Sequence, residues 1–231
     1  MNDSASSRQR ILESIRSATA PVSSEPGSEN APDRRVLPRT YIRRGTMNRN
    51  ACVERMIDRL REYEAEVAEC TAEELPATIA AQLASSGKHI FVAPEGLPAA
   101  WLAPGFEWKV DRGMASEEIE QAEGAITAAF CGVADSGTIV LHHSPTEGRR
   151  ALTLLPDRHL CILRASQVVE TLPEYFDRCQ QTPMLATFIS GPSATADIEM
   201  TRIKGVHGPR FLAVILVQDE IEEAQSGAKA S

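Results

Sequence analysis

Two runs hold the densest reactive chemistry in this chain. One is Ser190-Gly191-Pro192-Ser193-Ala194-Thr195-Ala196-Asp197-Ile198-Glu199, and the other is Gly205-Val206-His207-Gly208-Pro209-Arg210. They lie between two apolar stretches, Met184–Ile189 and Phe211–Val217, that read as buried strands. Backbone amides following a strand, joined by the hydroxyls of Ser190, Ser193 and Thr195 at a helix start, form a natural anion pocket. The plainer alternative is that Ser190 or Ser193 caps a helix and Gly208-Pro209 turns the chain.

Two other polar segments can contribute to such a pocket. Ala134-Asp135-Ser136-Gly137 has tight-turn composition and joins two β-prone runs, Ala125–Val133 and Thr138–His142. Asp135 and Ser136 then fall at strand ends, where open α/β sheets take ligands. His142 to Arg150 is the most polar interior loop. Arg149 or Arg150, facing the Gly191 segment, would supply a clamp for a carboxylate. His142 or His143 with Glu147 could start a metal site, but adjacent strand residues point to opposite faces and the ligand count is too low, so no metal site is expected.

The elements that must position these residues follow from periodicity. Ser4–Arg16 has Ile11, Leu12 and Ile15 on one helical face, and Thr19–Pro38 shifts to a linker composition. Met47–Ala68 reads as one long amphipathic helix carrying Val53, Met56, Ile57, Leu60 and Val67. Thr71 and Glu74 form a capping box for a helix with Leu75, Ile79 and Leu83, ended by Gly87. Lys88–Ala93 is the first interior strand, and Pro94–Gly113 is a loop holding Trp101 and Trp108. A short helix at Ser116–Gln121, a strand at His159–Leu163 and a helix from Ser166 to Cys179 complete the pattern. The expected fold class is α/β, with residues 1–40 as helical arm and linker, 41–218 as one domain and 219–231 as a frayed tail.

Composition narrows the function. With 231 residues the chain can bury a sizeable core, and its net charge of −8 argues against nucleic acid as a partner. No run approaches the roughly 18 apolar residues of a membrane span, and the polar start lacks a signal core, so the cytoplasm is expected. Cys52, Cys70, Cys131, Cys161 and Cys179 are isolated, which argues against an iron–sulfur or zinc site on this chain. Neither common phosphate-binding loop occurs.

The chain resembles the lactate-utilisation (LUD) domain family, in particular its LutC-type branch. The resemblance is carried by Ala134-Asp135-Ser136-Gly137-Thr138, the Arg149–Pro156 segment, Arg164-Ala165-Ser166-Gln167, Ser190 to Glu199, and Gly205-Val206-His207-Gly208-Pro209. One position departs: Ala194 stands where a basic residue is expected in many relatives. The resemblance implies a fold of the NagB/RpiA/CoA-transferase type, a mostly parallel sheet with helices on both faces. It also implies work in a multi-protein system oxidising L-lactate to pyruvate, with the iron–sulfur clusters on partner proteins and no cofactor on this chain.

For lactate, a small 2-hydroxy acid, the amides of Gly191 to Thr195 with Arg149 or Arg210 would hold the carboxylate. His207, Asp197 or Glu199 would take the hydroxyl proton, the imidazole having the best-suited ordinary pKa. Two other readings stand beside this one. The chain would be a non-catalytic assembly subunit of that complex, or an independent binder of a phosphorylated or CoA-linked metabolite. A homo-oligomer is compatible with all three.

Overall fold

The computed structural model describes residues 3–19, 41–179, 181, 183, 185–195, 203–204 and 207–219. The chain falls into two compact units, Met1–Tyr41 and Ile42–Ser231. In the first, helix α1 (Asp3–Thr19) carries Ile11, Leu12 and Ile15 exposed along one side.

The second unit is built on a six-stranded, fully parallel sheet. Its strands are β1 (Glu66–Thr71), β2 (Ile90–Pro94), β3 (Glu107–Asp111), β4 (Gly124–Ala128), β7 (Arg158–Arg164) and β12 (Phe211–Gln218), in the spatial order β1-β12-β7-β4-β2-β3. The central strands are buried on both faces, which is why they read as continuous apolar runs. One face packs Phe91, Ala93, Ile126, Leu160, Ile162, Ala213 and Ile215 under helix α3 (Leu75–Ser85) and the Trp101 turn. The opposite face packs Cys161, Leu163, Leu212, Val214 and Leu216 against helix α2 (Arg49–Glu62) and a second sheet. Helix α4 (Ser116–Glu120) covers Val92 and Ala125 on that side. The result is an α/β fold with layers on both sides of a mostly parallel sheet.

The second sheet comprises β5 (Cys131–Val133), β6 (Thr138–Leu141), β8 (Val168–Val169) and β9 (Thr187–Ile189), ordered β8-β5-β6-β9. β5 and β6 form the hairpin expected around Asp135-Ser136-Gly137. The tip is a short 3-10 turn, and Gly137 takes φ +61. A further two-stranded ribbon pairs β10 (Ala194–Thr195) with β11 (Ile203–Lys204). Helix α5 (Leu172–Arg178) packs against β5 and β8.

Four local expectations are corrected. The long helix over Met47–Ala68 stops at Glu62, where Glu64 enters the left-handed region at φ +64, and Val67 belongs to β1. The tryptophan loop contains the edge strand β3, with Trp108 packed against the core and its Nε1–H donating to the Ala103 carbonyl at 2.9 Å. The helix expected from Ser166 is divided. Val168-Val169 pair with β5, and a Thr171–Glu174 capping box restarts the helix with Pro173 in its first turn. The Gly191 segment leads into strand β10, so a helix start directly after Ser193 is not what supplies its amides. The Thr71–Glu74 box forms as expected, both Thr71 N–H and Oγ1–H reaching Glu74 Oε2 at 2.9 and 3.0 Å.

Candidate functional site

A cavity of about 300 Å3 lies on the α2 side of the main sheet, between β7, β12 and the segment Thr187–Ala194. Its lining includes Arg150, Thr153, His159, Ser190 to Ala194, and His207 to Pro209. The two motif runs therefore share one cavity. Ser193 joins them: its N–H donates to the Pro209 carbonyl at 2.9 Å, and its Oγ accepts the His207 N–H at 3.3 Å.

Close backbone approach fixes this wall in place. Gly191 has φ +85, and a Cβ there would fall 2.6 Å from Cβ of Tyr63 at the end of α2. Gly137 makes the same demand one turn earlier, 2.6 Å from Cβ of Arg59. Glycine alone satisfies both the left-handed backbone and the missing volume. A ladder of hydroxyls ties the two glycine-bearing segments together. Ser136 Oγ, Thr138 Oγ1 and Ser190 Oγ are linked by successive contacts of 2.7 Å. Ser136 thus reaches the cavity wall through Thr138. Asp135 is exposed beside α2 and does not line the cavity.

The three arginines behave differently. Arg149 turns away into a separate cavity at the C-terminal ends of β2 and β3. There its Nε and Nη2 donate to the two oxygens of Asp111 at 2.7 and 3.1 Å, and Nη2 also donates to the Met114 carbonyl. Burial alone would raise the Asp111 carboxyl, but Arg149 and the amides of Met114 and Gly113 outweigh it and hold it below the usual range. Arg210 is occupied by Asp157, at 2.6 and 2.8 Å, and lines another cavity near the N-terminal ends of the strands. Neither faces the Gly191 segment. Arg150 does line the site cavity, and among the described residues its guanidinium has no carboxylate partner.

Asp197 and Glu199 lie outside the described residues, and for Thr195 only its place in β10 is described. His207 is exposed at the cavity edge.

One cavity residue that sequence reasoning missed is His159. It is 1 % exposed, and its Nε2 lies 2.8 Å from Thr127 Oγ1 on the neighbouring strand β4. Burial pushes its pKa down to about 4, so the ring is neutral. A histidine at the start of an otherwise apolar strand was the one available signal.

The His142–Arg150 loop is held by its own polar groups. His143 has φ +59, an uncommon backbone for a non-glycine residue. Its Nδ1–H donates to the Gly148 carbonyl at 2.8 Å, which leaves Nε2 to accept from Thr187 Oγ1 at 2.8 Å. His142 stacks on Phe130 at 3.7 Å and meets Tyr175 Oη at 2.9 Å. Buried Glu147 accepts the His142 N–H and the Ser144 hydroxyl. These groups brace the loop that delivers Arg150.

The family profile described as the LUD domain matches residues 53–217. The chain belongs to the LUD domain family. Among curated relatives it is 39 % identical over 166 residues to Lactate utilization protein C of Deinococcus radiodurans, covering 69 % of this chain and 76 % of that protein. It is 38 % identical over 124 residues to Lactate utilization protein C of Bacillus subtilis, which is 50 % of this chain and 51 % of that one. The crystal structure of a DUF162 family protein from Deinococcus radiodurans superposes with a TM-score of 0.65 at 32 % identity, covering 74 % of this chain and 99 % of that one. The LUD domain match encloses every residue that lines the cavity. Among the described residues no helix is long and apolar enough to cross a membrane.

Proposed function

We propose that this LUD domain serves in lactate utilisation and binds a small 2-hydroxy carboxylate, L-lactate, in the Arg150 cavity. The observation that carries this reading is that Arg150, without a carboxylate partner among the described residues, lines a cavity of about 300 Å3 together with Ser190, Ser193 and His207. That volume is at the bottom of the range for ligand pockets, which favours a metabolite of a few heavy atoms over a nucleotide. Arg150 holds the carboxylate, helped by the polar groups of the Ser190–Ser193 wall. In the oxidation to pyruvate, lactate gives up two electrons and two protons. The hydroxyl proton goes to a base, with His207, Asp197 and Glu199 as the candidates, and the C2 proton passes to solvent. The electrons leave to iron–sulfur partner proteins. The relatives' names support the pathway, and the cavity supports the ligand class.

Isothermal titration calorimetry tests the ligand. Lactate or pyruvate should bind the native protein, and Arg150→Ala should weaken binding by about 10- to 100-fold, the worth of a charge-assisted hydrogen bond. Native protein that binds neither acid would sink the reading.

A second reading, an assembly subunit without chemistry of its own, is favoured by one surface feature. Phe176 and Phe188 are 59 % and 46 % exposed around Tyr175, next to edge strand β9, with Leu172 and Leu185 exposed as well. Substituting His207 and Asp197 together separates the two. Lactate oxidation by the reconstituted system that survives this change, with the complex intact, assigns the assembly role.

A further inference from the structure

His159, which lines the cavity, begins a run of hydrogen bonds that continues behind it between β4 and β7. Thr127 on β4 lies between His159 and Cys161 of β7, with which it shares a face: Ala125 is level with His159, and Thr127 with Cys161. His159 Nε2 is 2.8 Å from Thr127 Oγ1, Thr127 Oγ1 is 3.9 Å from Cys161 Sγ, and Cys161 Sγ is 4.0 Å from the Ala128 carbonyl. The last oxygen can only accept. Burial pushes the Cys161 thiol up to about 12, so it keeps its proton and donates it to Ala128. Thr127 can then donate to the sulfur and accept from the ring, which places the imidazole proton on Nε2. In this arrangement every proton of the run has an acceptor. The other tautomer would leave Nδ1–H without a protein acceptor among the described residues, and orphaned donors are the rarer defect.

We infer that His159 offers an Nδ1 lone pair to the cavity, accepts a hydrogen bond from the 2-hydroxyl of the bound acid in the resting complex, before that proton passes to the base, and so selects 2-hydroxy acids over 2-oxo acids. A 2-oxo acid has no proton at that position, and its carbonyl oxygen would face a lone pair. Losing such a match is costly because the buried polar group is left unpaired. Thr127 is the positioning residue, since its oxygen decides which ring nitrogen carries the proton. The inference rests on the functional reading above for the ligand, and on the hydrogen-bond geometry together with the burial of Cys161 for the tautomer.

Two measurements test it. In protein labelled with 15N-histidine, two-bond proton–nitrogen correlations report the tautomer, and His159→Gln assigns the signal. The expected pattern is a protonated Nε2 and a bare Nδ1; a protonated Nδ1 in the native protein overturns the inference. By calorimetry, native protein should bind lactate at least 10-fold more tightly than pyruvate. Thr127→Val should bring that ratio several-fold closer to one, while Thr127→Ser, which keeps the hydroxyl, should preserve it. A native ratio near one, or a ratio unmoved in a folded Thr127→Val protein, overturns it. Binding of neither acid overturns the functional reading and the selectivity with it, whereas a wrong tautomer removes only the present inference.

Discussion

The Cβ that Gly191 lacks would fall 2.6 Å from Cβ of Tyr63, so the cavity wall is seated against the last turn of α2. Gly191→Ala must both adopt φ near +85 and displace Tyr63. A loss of about 1–3 kcal/mol is expected from the backbone alone, read from urea denaturation. Gly208 on the facing loop is the control. Its Cβ would meet Ser193 at 3.4 Å, an ordinary contact, so Gly208→Ala should change stability by less than about 0.5 kcal/mol.

Arg149 and Arg150 should separate stability from binding. Asp111 keeps only 5 % of its side chain exposed, and Arg149→Ala would leave that carboxylate without its cation. Because Arg149 is itself 42 % exposed, the loss is expected at about 1–2 kcal/mol, below that for a fully buried pair. Arg150→Ala should cost less than about 0.5 kcal/mol and show its effect in lactate titrations. The reverse pattern in denaturation and calorimetry would show that the two side chains had been assigned to the wrong cavities.

Buried His159 makes stability depend on pH in a defined window. Its native pKa is about 4, against an ordinary value of 6.5, so the unfolded chain takes up the proton first as pH falls. Its contribution is therefore complete above pH 6.5 and is lost progressively between 6.5 and 4. At about 1.4 kcal/mol per pH unit the total is about 3 kcal/mol. Subtracting the pH profile of His159→Gln isolates it. Asp111 and Asp157, held below their ordinary range, lose their contributions at lower pH.

Thiol reactivity offers a check on burial. Cys52, Cys70, Cys131 and Cys161 are buried, and burial pushes Cys131 up to about 11 and Cys161 up to about 12. Cys179 is partly exposed. At pH 8 a chromogenic disulfide reagent should titrate one thiol rapidly in native protein and all five after denaturation. Mass spectrometry should place the fast label on Cys179.

What could be read from the chain divides along physical lines. Local chemistry was legible: the Thr71–Glu74 box and the Asp-Ser-Gly hairpin tip each need only neighbours in sequence, and both form. The parallel β/α pattern was legible because strands buried on two faces are apolar without interruption. Short paired segments were not. Val168-Val169 is a strand only because β5 lies beside it, and edge strand β3 is half polar. At the site, Ser190, Gly191, Ser193 and His207 meet as their composition suggested, while the partners of Arg149 and Arg210 come from distant strands and loops that no local pattern announces. His159 needed its neighbour Thr127, 32 positions away.

The partition between Arg149 and Arg150 is made by a single short turn, Arg150–Thr153, with Arg149 just before it. Successive residues there face different compartments, so the spacing of that loop encodes which charge is neutralised and which stays available. Deleting Gly148, immediately before Arg149, would shift the frame. Arg150 would then be drawn toward Asp111, taking its charge out of the cavity while total composition barely changed. Loop length at this point is thus as much a functional parameter as residue identity.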